Sequence, residues 1–401
     1  MKWLTIIGMG EDGYDGLAPR AREALAQTEV IIGSARLLGY LPDLTAALVE
    51  WPQPFSAAVE TILPYRGKPT VVLATGDPTN YGVARKLLEI IPAAEVDIIP
   101  NVSAFSLAAA RMGWSLPDCD TLSLHGRATA NLEAYIQPGA RLLVLTADAT
   151  TIPDVAARLA ARGFGRSRIT VLENLGGGLE RISGFTADDR PSTEFFSLNT
   201  LAIECVPGPD AIVRSRLAGL PDDAFIHDGQ LTKCQVRAAT LAALAPAPGQ
   251  LLWDVGAGSG AVAIEWMRST RGCEAIAFEC DAARLEMIAA NAQRLGAPRL
   301  KIIAGTAPQS LAGQAKPDAV FIGGGLGDDG VFETAWSALK PGGRMVANVV
   351  TLEGELHVID LHEKHGGDLV RMEVSHLTRI GQLRALRPRM AVLQWRASKP
   401  W

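Results

Sequence analysis

The stretch Asp254-Val255-Gly256-Ala257-Gly258-Ser259-Gly260 decides the fold of the second half of this chain. It follows the short apolar run Leu251–Val255 and precedes an amphipathic segment that begins at Ala261. Glycines at alternate positions allow a tight turn between a strand and a helix, and they let a ligand approach the backbone. The stretch therefore predicts a ligand-binding strand–loop–helix unit of an α/β sheet.

Two carboxylates flank this loop. Asp254 lies directly before it, and Glu279 ends the next apolar run, 23 residues after Gly256. A carboxylate at the position of Glu279 can accept the hydroxyl protons of a ribose. Asp254 would repel a pyrophosphate and favours a cationic ligand without phosphate, of which S-adenosylmethionine is an example. Two alternatives remain open: a dinucleotide, because the Gly-x-Gly-x-x-Ala pattern also fits it, and a turn with only a structural role.

Composition limits the possible classes of protein. The 401 residues suggest two or three domains, and 48% hydrophobic with 20% charged residues is typical of a globular protein. The net charge of -5 argues against general binding of nucleic acid. The five cysteines are odd in number and include no Cys-x-x-Cys pair, so we expect neither disulfides nor a metal site. No apolar run is long enough to span a membrane, and we expect a cytoplasmic homo-oligomer.

Short apolar runs alternate with longer amphipathic segments along the whole chain, which predicts βα units and mostly parallel sheets. Between Cys205 and Asp228, proline, glycine and aspartate interrupt this alternation, and we interpret the stretch as an interdomain connection. We therefore predict one domain over residues 1–215 and another over 225–401. The second is expected to have seven strands, with the last two, Val370–Ser375 and Met390–Trp395, in an antiparallel hairpin.

The second half resembles the class I methyltransferases, which have a Rossmann-like, seven-stranded α/β fold. Its further motifs resemble the decarboxylating precorrin methyltransferases of cobalamin biosynthesis; they are Leu231-Thr232-Lys233 with Arg237-Ala238-Ala239-Thr240, Ala304-Gly305-Thr306-Ala307-Pro308, Phe321-Ile322-Gly323-Gly324-Gly325 and Leu339-Lys340-Pro341-Gly342-Gly343. The expected contacts to S-adenosylmethionine are Asp254, Gly256, Gly258, Gly260, Glu279, Gly305, Thr306 and Ala307.

The first half resembles the tetrapyrrole methylase family, a two-lobed α/β fold that holds the methyl donor between its lobes. The resemblance rests on Gly8-Met9-Gly10-Glu11-Asp12-Gly13, Ala74-Thr75-Gly76-Asp77-Pro78, Asn101-Val102-Ser103-Ala104, His125-Gly126-Arg127 and Glu173-Asn174-Leu175-Gly176. The family usually has Pro-Gly where this chain has Glu11-Asp12. Gly8, Gly10, Gly76, Asp77 and Ser103 are the expected contacts to a second donor molecule.

Together the two resemblances imply an enzyme that methylates precorrin-6B at carbons 5 and 15 and removes carbon dioxide from the acetate on ring C, giving precorrin-8X. Gly323, Gly324 and Gly325 would let a flat macrocycle lie close to a strand end, or they form only a flexible turn. Arginines that suit capture of substrate carboxylates cluster near the C-terminus, although a solvated connection is an equal interpretation; the candidates are Arg379, Arg384 and Arg387.

Decarboxylation needs an electron sink, which the conjugated ring imine provides, and a group that keeps the ring protonated. Candidates for this acid are His227, Lys233 and His376, although residues of these types more often have a structural or solvent-exposed role. Two rival functions stay open at this point. One is an NAD(P)-dependent oxidoreductase that uses the Gly256 loop, and the other is a non-catalytic tetrapyrrole-binding protein.

Overall fold

A computed structural model describes residues 2–52, 58–189 and 194–401, and the chain forms two compact units. The first unit comprises Met1–Thr129 and Gln137–Ile212, and the second comprises Ala130–Ile136 and Val213–Trp401. This division lies within the stretch 205–228 that the sequence predicts as a connection. Residues near the end of that stretch belong to the second unit, because Leu220, Ala224 and Phe225 are buried in its core.

The first unit contains two sheets. Its strands are β1 (Leu4–Met9), β2 (Val30–Gly33), β3 (Ala47–Glu50), β4 (Thr70–Thr75), β5 (Val96–Ile99), β6 (Asp120–Ser123), β7 (Arg141–Leu145), β8 (Arg168–Glu173), β9 (Arg181–Thr186) and β10 (Asn199–Glu204). Its helices are α1 (Pro19–Ala26), α2 (Ala35–Leu38), α3 (Ala58–Ile62), α4 (Ala84–Leu88), α5 (Ala104–Met112) and α6 (Thr151–Ala161).

These two sheets form two lobes, each with its own core. The first sheet is parallel, in the order β3-β2-β4-β1-β5, and apolar side chains cover both of its faces. The second sheet, β6-β7-β10-β8-β9, is mostly antiparallel. Helix α5 starts at the carboxyl end of β5 and packs its Phe105 face against the second sheet. Since parallel strands carry their ligand loops at their carboxyl ends, the loops that follow β1, β4 and β5 lie at one edge of the first sheet.

The second unit is built on one seven-stranded sheet, and two further strands form a separate hairpin. Its strands are β11 (Leu251–Val255), β12 (Glu274–Glu279), β13 (Lys301–Ala304), β14 (Ala319–Ile322), β15 (Arg344–Val349), β16 (Asp368–Met372), β17 (Ser375–Ile380), β18 (Leu383–Pro388) and β19 (Val392–Ser398). Its helices are α7 (Cys234–Leu244), α8 (Ala261–Ser269), α9 (Ala282–Leu295), α10 (Val331–Ala338) and α11 (Leu352–His365).

The sheet order is β13-β12-β11-β14-β15-β19-β16, with β19 antiparallel to both of its neighbours. One core cluster lies between the sheet and α7–α9, and another lies between the sheet and α10–α11. This doubly wound architecture confirms the predicted fold class. The expected terminal pair also forms, but a separate hairpin, β17–β18, is inserted between its strands. Within the described ranges, no helix is both long and apolar enough to cross a membrane.

Candidate functional site

The glycine loop between β11 and α8 lies where the strand order of the seven-stranded sheet reverses, which is the usual ligand position in such sheets. Gly256, Gly258 and Gly260 all have positive φ angles, of 69°, 58° and 75°, a region that disfavours side chains. A Cβ atom on Gly256 would lie 3.0 Å from the backbone nitrogen and oxygen of Gly324. The structure therefore brings the predicted macrocycle loop, 323–325, against the predicted donor loop.

Asp254 is buried at the end of β11 with one carboxylate oxygen in use. Its Oδ2 accepts a hydrogen bond from the backbone N–H of Ala263 at 3.0 Å. Its Oδ1 is buried and has no hydrogen-bond partner among the described residues. Burial raises the pKa of Asp254 to about 7. The hydrogen bond from Ala263 opposes this rise, and the negative charge of Glu279 adds to it. An unpartnered buried carboxylate oxygen fits a cationic ligand such as S-adenosylmethionine, because such a ligand supplies the missing positive charge.

Glu279 ties the end of β12 to the glycine loop. Its Oε2 accepts from the N–H of Gly258 at 2.8 Å, and its Oε1 accepts from the N–H groups of Cys280 and Asp281 at 2.9 and 3.1 Å. Oε2, which accepts only one of these three hydrogen bonds, keeps further acceptor capacity. The position fits the predicted ribose contact, and the hydrogen bonds add a second task that the sequence did not indicate: Glu279 orients the loop itself.

The turn at Gly305, Thr306 and Ala307 adjoins this carboxylate. The N–H of Gly305 donates to the carbonyl of Glu279 at 2.9 Å, and its φ of +144° excludes most side chains. The turn thus lies at the carboxyl edge of the sheet beside β12, where the sequence placed an adenine border. The contact with adenine itself stays a prediction.

Two of the three acid candidates lie on the segment 226–233 that precedes α7. His227 Nδ1 accepts from the N–H of Gly229 at 3.0 Å, and Lys233 Nζ donates to the carbonyl of Gly229 at 3.2 Å. The carbonyl oxygen of Gln230 lies 3.6 Å from the position of a Cβ atom on Gly258. His227 and Lys233 are therefore carried by a segment in contact with the donor loop.

The buried side chain of Asn291 fastens that segment, and sequence reasoning did not single it out. Its Oδ1 accepts from the N–H of Ile226 at 2.7 Å, and its Nδ2 donates to the carbonyls of Ile226 and Ser259 at 2.9 and 3.0 Å. A signal was present, since Asn291 interrupts the apolar face of α9 between Ile288 and Leu295. A polar residue on a buried helix face requires hydrogen-bond partners.

The remaining candidates lie on the β17–β18 hairpin. Arg379 pairs directly opposite Arg384, whereas Arg387 pairs opposite His376, so the three arginines do not share one face of the hairpin. All three are exposed. The Nε2 atom of His376 is buried without a partner among the described residues, and no hydrogen bond described there joins it to the donor loop. His376 is thus not brought together with His227 and Lys233 by any such contact.

In the first unit, three predicted loops meet backbone to backbone. A Cβ atom on Gly8 would lie 2.0 Å from the carbonyl oxygen of Gly76 and 2.7 Å from the nitrogen of Asn101. A Cβ atom on Gly76 would lie 3.2 Å from the carbonyl of Val102, and Ser103 Oγ caps α5 by accepting from Ser106 N–H at 3.1 Å. Only glycine fits at such approaches, and the loops after β1, β4 and β5 form one surface.

Asp77 and Gly10, the other donor-contact candidates of this unit, are engaged locally. Asp77 Oδ1 accepts from the backbone N–H and the hydroxyl of Thr79 at 2.8 and 2.7 Å. A Cβ atom on Gly10 would lie 2.6 Å from Oδ1 of Asp12. Both residues belong to the surface where the loops meet, and their contact with a donor stays a prediction.

The contacts of Glu11 explain how this chain orders its first loop without the Pro-Gly that the tetrapyrrole methylase family usually has there. The Glu11 carboxylate pairs with the Arg36 guanidinium and accepts from the Tyr40 hydroxyl at 2.8 Å, while Arg36 also donates to Thr75 Oγ1 at 2.9 Å. Burial, followed by the hydrogen bond to Glu11, raises the pKa of Tyr40. These contacts fix the β1 loop to the end of β4 where the family has a rigid Pro-Gly.

Comparisons with known proteins bear on both units. Residues 3–188 match the family described as Tetrapyrrole (Corrin/Porphyrin) Methylases, and residues 223–399 match the family described as Precorrin methyltransferase domain. The chain is 43% identical over 402 residues to a precorrin-6Y C(5,15)-methyltransferase (decarboxylating) of Sinorhizobium sp, covering 99% of this chain and 96% of the relative.

Two shorter relatives from Salmonella typhimurium each match less than half of the chain. One is a cobalt-precorrin-7 C(5)-methyltransferase, 32% identical over 45% of this chain and 88% of its own length. The other is a cobalt-precorrin-6B C(15)-methyltransferase (decarboxylating), 35% identical over 40% of this chain and 86% of its own length.

Proposed function

Because the chain belongs to the precorrin-6Y C(5,15)-methyltransferase (decarboxylating) family, we propose that it methylates precorrin-6B at carbons 5 and 15 and decarboxylates the ring C acetate, releasing carbon dioxide. The product is precorrin-8X, an intermediate of cobalamin biosynthesis. The full-length coverage of the Sinorhizobium relative carries this proposal, because it includes both units. Family membership gives no support to a nicotinamide-dependent oxidoreductase or to a scaffold protein.

S-adenosylmethionine, when bound, supplies an electrophilic methyl group, and the two glycine-loop surfaces favour one molecule per domain. Each transfer would join the methyl carbon to a ring carbon as the carbon–sulfur bond breaks, with the thioether as the leaving group and the proton of the ring carbon lost to solvent. The unpartnered Oδ1 of Asp254 matches the cationic donor in the second unit. In the first unit, Gly8 and Gly76 let the chain after β1, β4 and β5 come together backbone to backbone, and we assign the second donor molecule to this surface.

We divide the labour between the halves: the tetrapyrrole methylase half methylates carbon 5, and the class I half methylates carbon 15 and decarboxylates. The two Salmonella relatives support this division, because these two activities are named there for two separate proteins that each match less than half of this chain. When the carbon–carbon bond of the acetate breaks, its electron pair passes into the conjugated ring imine. His227 and Lys233 are the nearer candidates to keep that ring protonated, since their segment contacts the donor loop.

The surroundings of the reaction follow from the same proposal. The substrate is a small tetrapyrrole rather than a nucleic acid, and we place the enzyme in the cytoplasm as a homo-oligomer. Mass spectrometry of precorrin-6B after incubation with the full chain and S-adenosylmethionine tests the function. We expect a gain of two methyl groups and a loss of one carbon dioxide. An unmodified tetrapyrrole would overturn the proposal.

A further inference from the structure

A strained tyrosine joins the two lobes of the first unit. Tyr81 lies in the loop that follows β4 and has a φ angle of +60°, a region that bulky residues rarely adopt. Its hydroxyl donates to the carbonyl of Thr121 in β6 at 3.1 Å, and its ring packs edge-on against Phe105 of α5, with ring centroids 5.9 Å apart. Strain of this kind persists where the surrounding structure holds a side chain in a required place.

The face of this tyrosine ring carries an arginine. The guanidinium carbon of Arg127 lies 5.2 Å from the Tyr81 ring centroid, within the range of a cation–π contact. Arg127 follows β6 in the His125-Gly126-Arg127 stretch, and it is exposed. It makes no ion pair with a carboxylate among the residues that the structure describes. One side of the Arg127 guanidinium thus contacts the ring, and its N–H groups remain to bind an anion.

The position of this pair relates it to the donor loops. Tyr81 lies in the same loop as Gly76, whose backbone meets Gly8 and Val102. Helix α5, which begins directly after Ser103, carries the Phe105 ring against which Tyr81 packs. Arg127 therefore lies just beyond the carboxyl end of β6, in contact with the loop that also carries Gly76 of the proposed donor surface.

We propose that Arg127 binds a carboxylate side chain of the tetrapyrrole during methylation by the first unit, and that Tyr81 is its positioning residue. Arginine suits this task because its fork of N–H groups matches a carboxylate, and stacking on an aromatic ring fixes the plane of that fork beforehand. The proposal rests on the proposed function, since acetate and propionate groups are the anions that such a substrate presents.

Kinetics of the full chain test this proposal. We expect Arg127→Gln to raise KM for precorrin-6B in carbon-5 methylation by about 10- to 100-fold, the scale of a lost hydrogen bond to a charged group. Arg127→Lys keeps the charge but loses the planar fork, and should fall between Gln and wild type. The kcat, the affinity for S-adenosylmethionine and carbon dioxide release should each change less than about twofold, because Arg127 is assigned to substrate alone.

A variant of Tyr81 tests the positioning of Arg127 separately from the binding of the carboxylate. Tyr81→Phe keeps the ring but removes the hydrogen bond to Thr121, and we expect a smaller rise in KM than for Arg127→Gln. A matched control is Arg141→Gln, because Arg141 makes a similar contact with Trp114, at 5.3 Å, but starts β7 at the opposite edge of the sheet. That control should leave KM unchanged. An unchanged KM in Arg127→Gln, or an equal loss of donor affinity, would overturn the proposal.

Failure of the proposed function gives a different result. Binding of uroporphyrin III, a stable tetrapyrrole with carboxylate side chains, can be measured by fluorescence without any methylation. A wild-type chain that methylates nothing overturns the function, whereas equal binding of uroporphyrin III by wild type and Arg127→Gln overturns only the assignment of Arg127. Weaker binding by Arg127→Gln, with Arg141→Gln like wild type, supports it.

Discussion

The carboxylate of Glu279 accepts a hydrogen bond from the backbone N–H of Gly258 at 2.8 Å, and so the end of β12 holds the middle of the glycine loop in place. Its second oxygen accepts from two more N–H groups, of Cys280 and Asp281. The same side chain that is predicted to bind the donor ribose therefore also shapes the loop that the donor contacts. Loss of the carboxylate acts on both.

Replacement of Glu279 by glutamine places an amide NH₂ among N–H donors. We expect Glu279→Gln to weaken S-adenosylmethionine binding in the second unit by roughly 1.5–3 kcal/mol, the range for hydrogen bonds to charged groups. Isothermal titration calorimetry on the full chain measures this, and carbon-5 methylation should survive. Glu274→Gln is the control, because Glu274 starts the same strand and is exposed. An unchanged affinity in Glu279→Gln would contradict the assignment.

The pKa of Asp254 predicts the pH dependence of donor binding. Burial raises this pKa from 3.8 to about 7, so the carboxyl is protonated in much of the folded protein below pH 7. A cationic donor favours the ionised form, and we expect its affinity for the second unit to increase as the pH rises from 5.5 to 7.5, with release of a proton. Asp254→Asn should bind more weakly and lose this pH dependence. A flat profile in the wild type would argue against contact between Asp254 and the donor.

The raised pKa of Asp254 also makes the stability of the fold depend on pH, but here the stability decreases as the pH rises. The folded state binds the Asp254 proton more tightly than the unfolded state does, so the free energy of unfolding falls as the pH rises from about 4 to about 7. The limiting slope from this one group is about 1.4 kcal/mol per pH unit. Urea unfolding of Asp254→Asn at several pH values, compared with the exposed control Asp360→Asn, isolates this contribution. Identical pH profiles for the three proteins would exclude it.

The sequence predicted the parts of the fold that follow from local apolar runs. The bounds of β11, Leu251–Val255, agree with prediction to the residue, because it is a short, mostly buried strand followed by glycines. Strand β3 was not predicted, since it lies at a sheet edge and leaves Leu48 exposed. The run 370–375 was interpreted as one strand, but it spans the end of β16 and the start of β17. A run of residues does not indicate where its pairing partner changes.

The residues of the candidate site were likewise predictable only where a local sequence motif marks them. Asp254 was recognised because it directly precedes the glycine loop, and Glu279 because it ends the next strand. The fastening of the segment 226–233 by Asn291 was not, because it joins residues 65 apart in sequence. The stacking of Arg127 on Tyr81 likewise depends on how the two lobes of the first unit pack. Such long-range contacts follow from tertiary packing, which short motifs do not encode.

The register of the β17–β18 hairpin ranks the candidate substrate arginines. Arg379 and Arg384 lie directly opposite each other, and like charges in such a pair repel unless an anion lies between them. We expect Arg384→Gln to raise KM for precorrin-6B in carbon-15 methylation by about 5- to 20-fold. Arg387→Gln should have a smaller effect, because Arg387 lies opposite His376 on the other face.

A control for this series is Arg371→Gln, since Arg371 already pairs with Glu355 at 2.8 Å. Initial rates at varied precorrin-6B give KM for each variant, and carbon-5 methylation by the first unit is the internal reference. Equal KM values for wild type and Arg384→Gln would show that the hairpin arginines are a solvated surface.

A fragment that begins at Val213 should fold better than one that begins at Phe225. Glu265 is buried and accepts from the N–H groups of Gly219 and Leu220 at 2.7 and 2.9 Å, and it pairs with the buried Arg237 at 2.7 Å. A start at Phe225 leaves this buried ion pair without those partners and removes Leu220 from the core. The expected cost is roughly 2–5 kcal/mol of unfolding free energy.

The fragment Val213–Trp401 also decides the division of labour. If carbon-15 methylation and decarboxylation belong to the class I half, this fragment alone releases carbon dioxide from precorrin-6B and adds a single methyl group. Thermal unfolding shows whether the fragments starting at Val213 and Phe225 are folded, and mass spectrometry with trapped carbon dioxide scores the reaction. The segment 130–136 is absent from both fragments, so their difference reports on residues 213–224 alone. Carbon dioxide that appears only from the full chain, while the fragment is folded, would show that decarboxylation needs both halves.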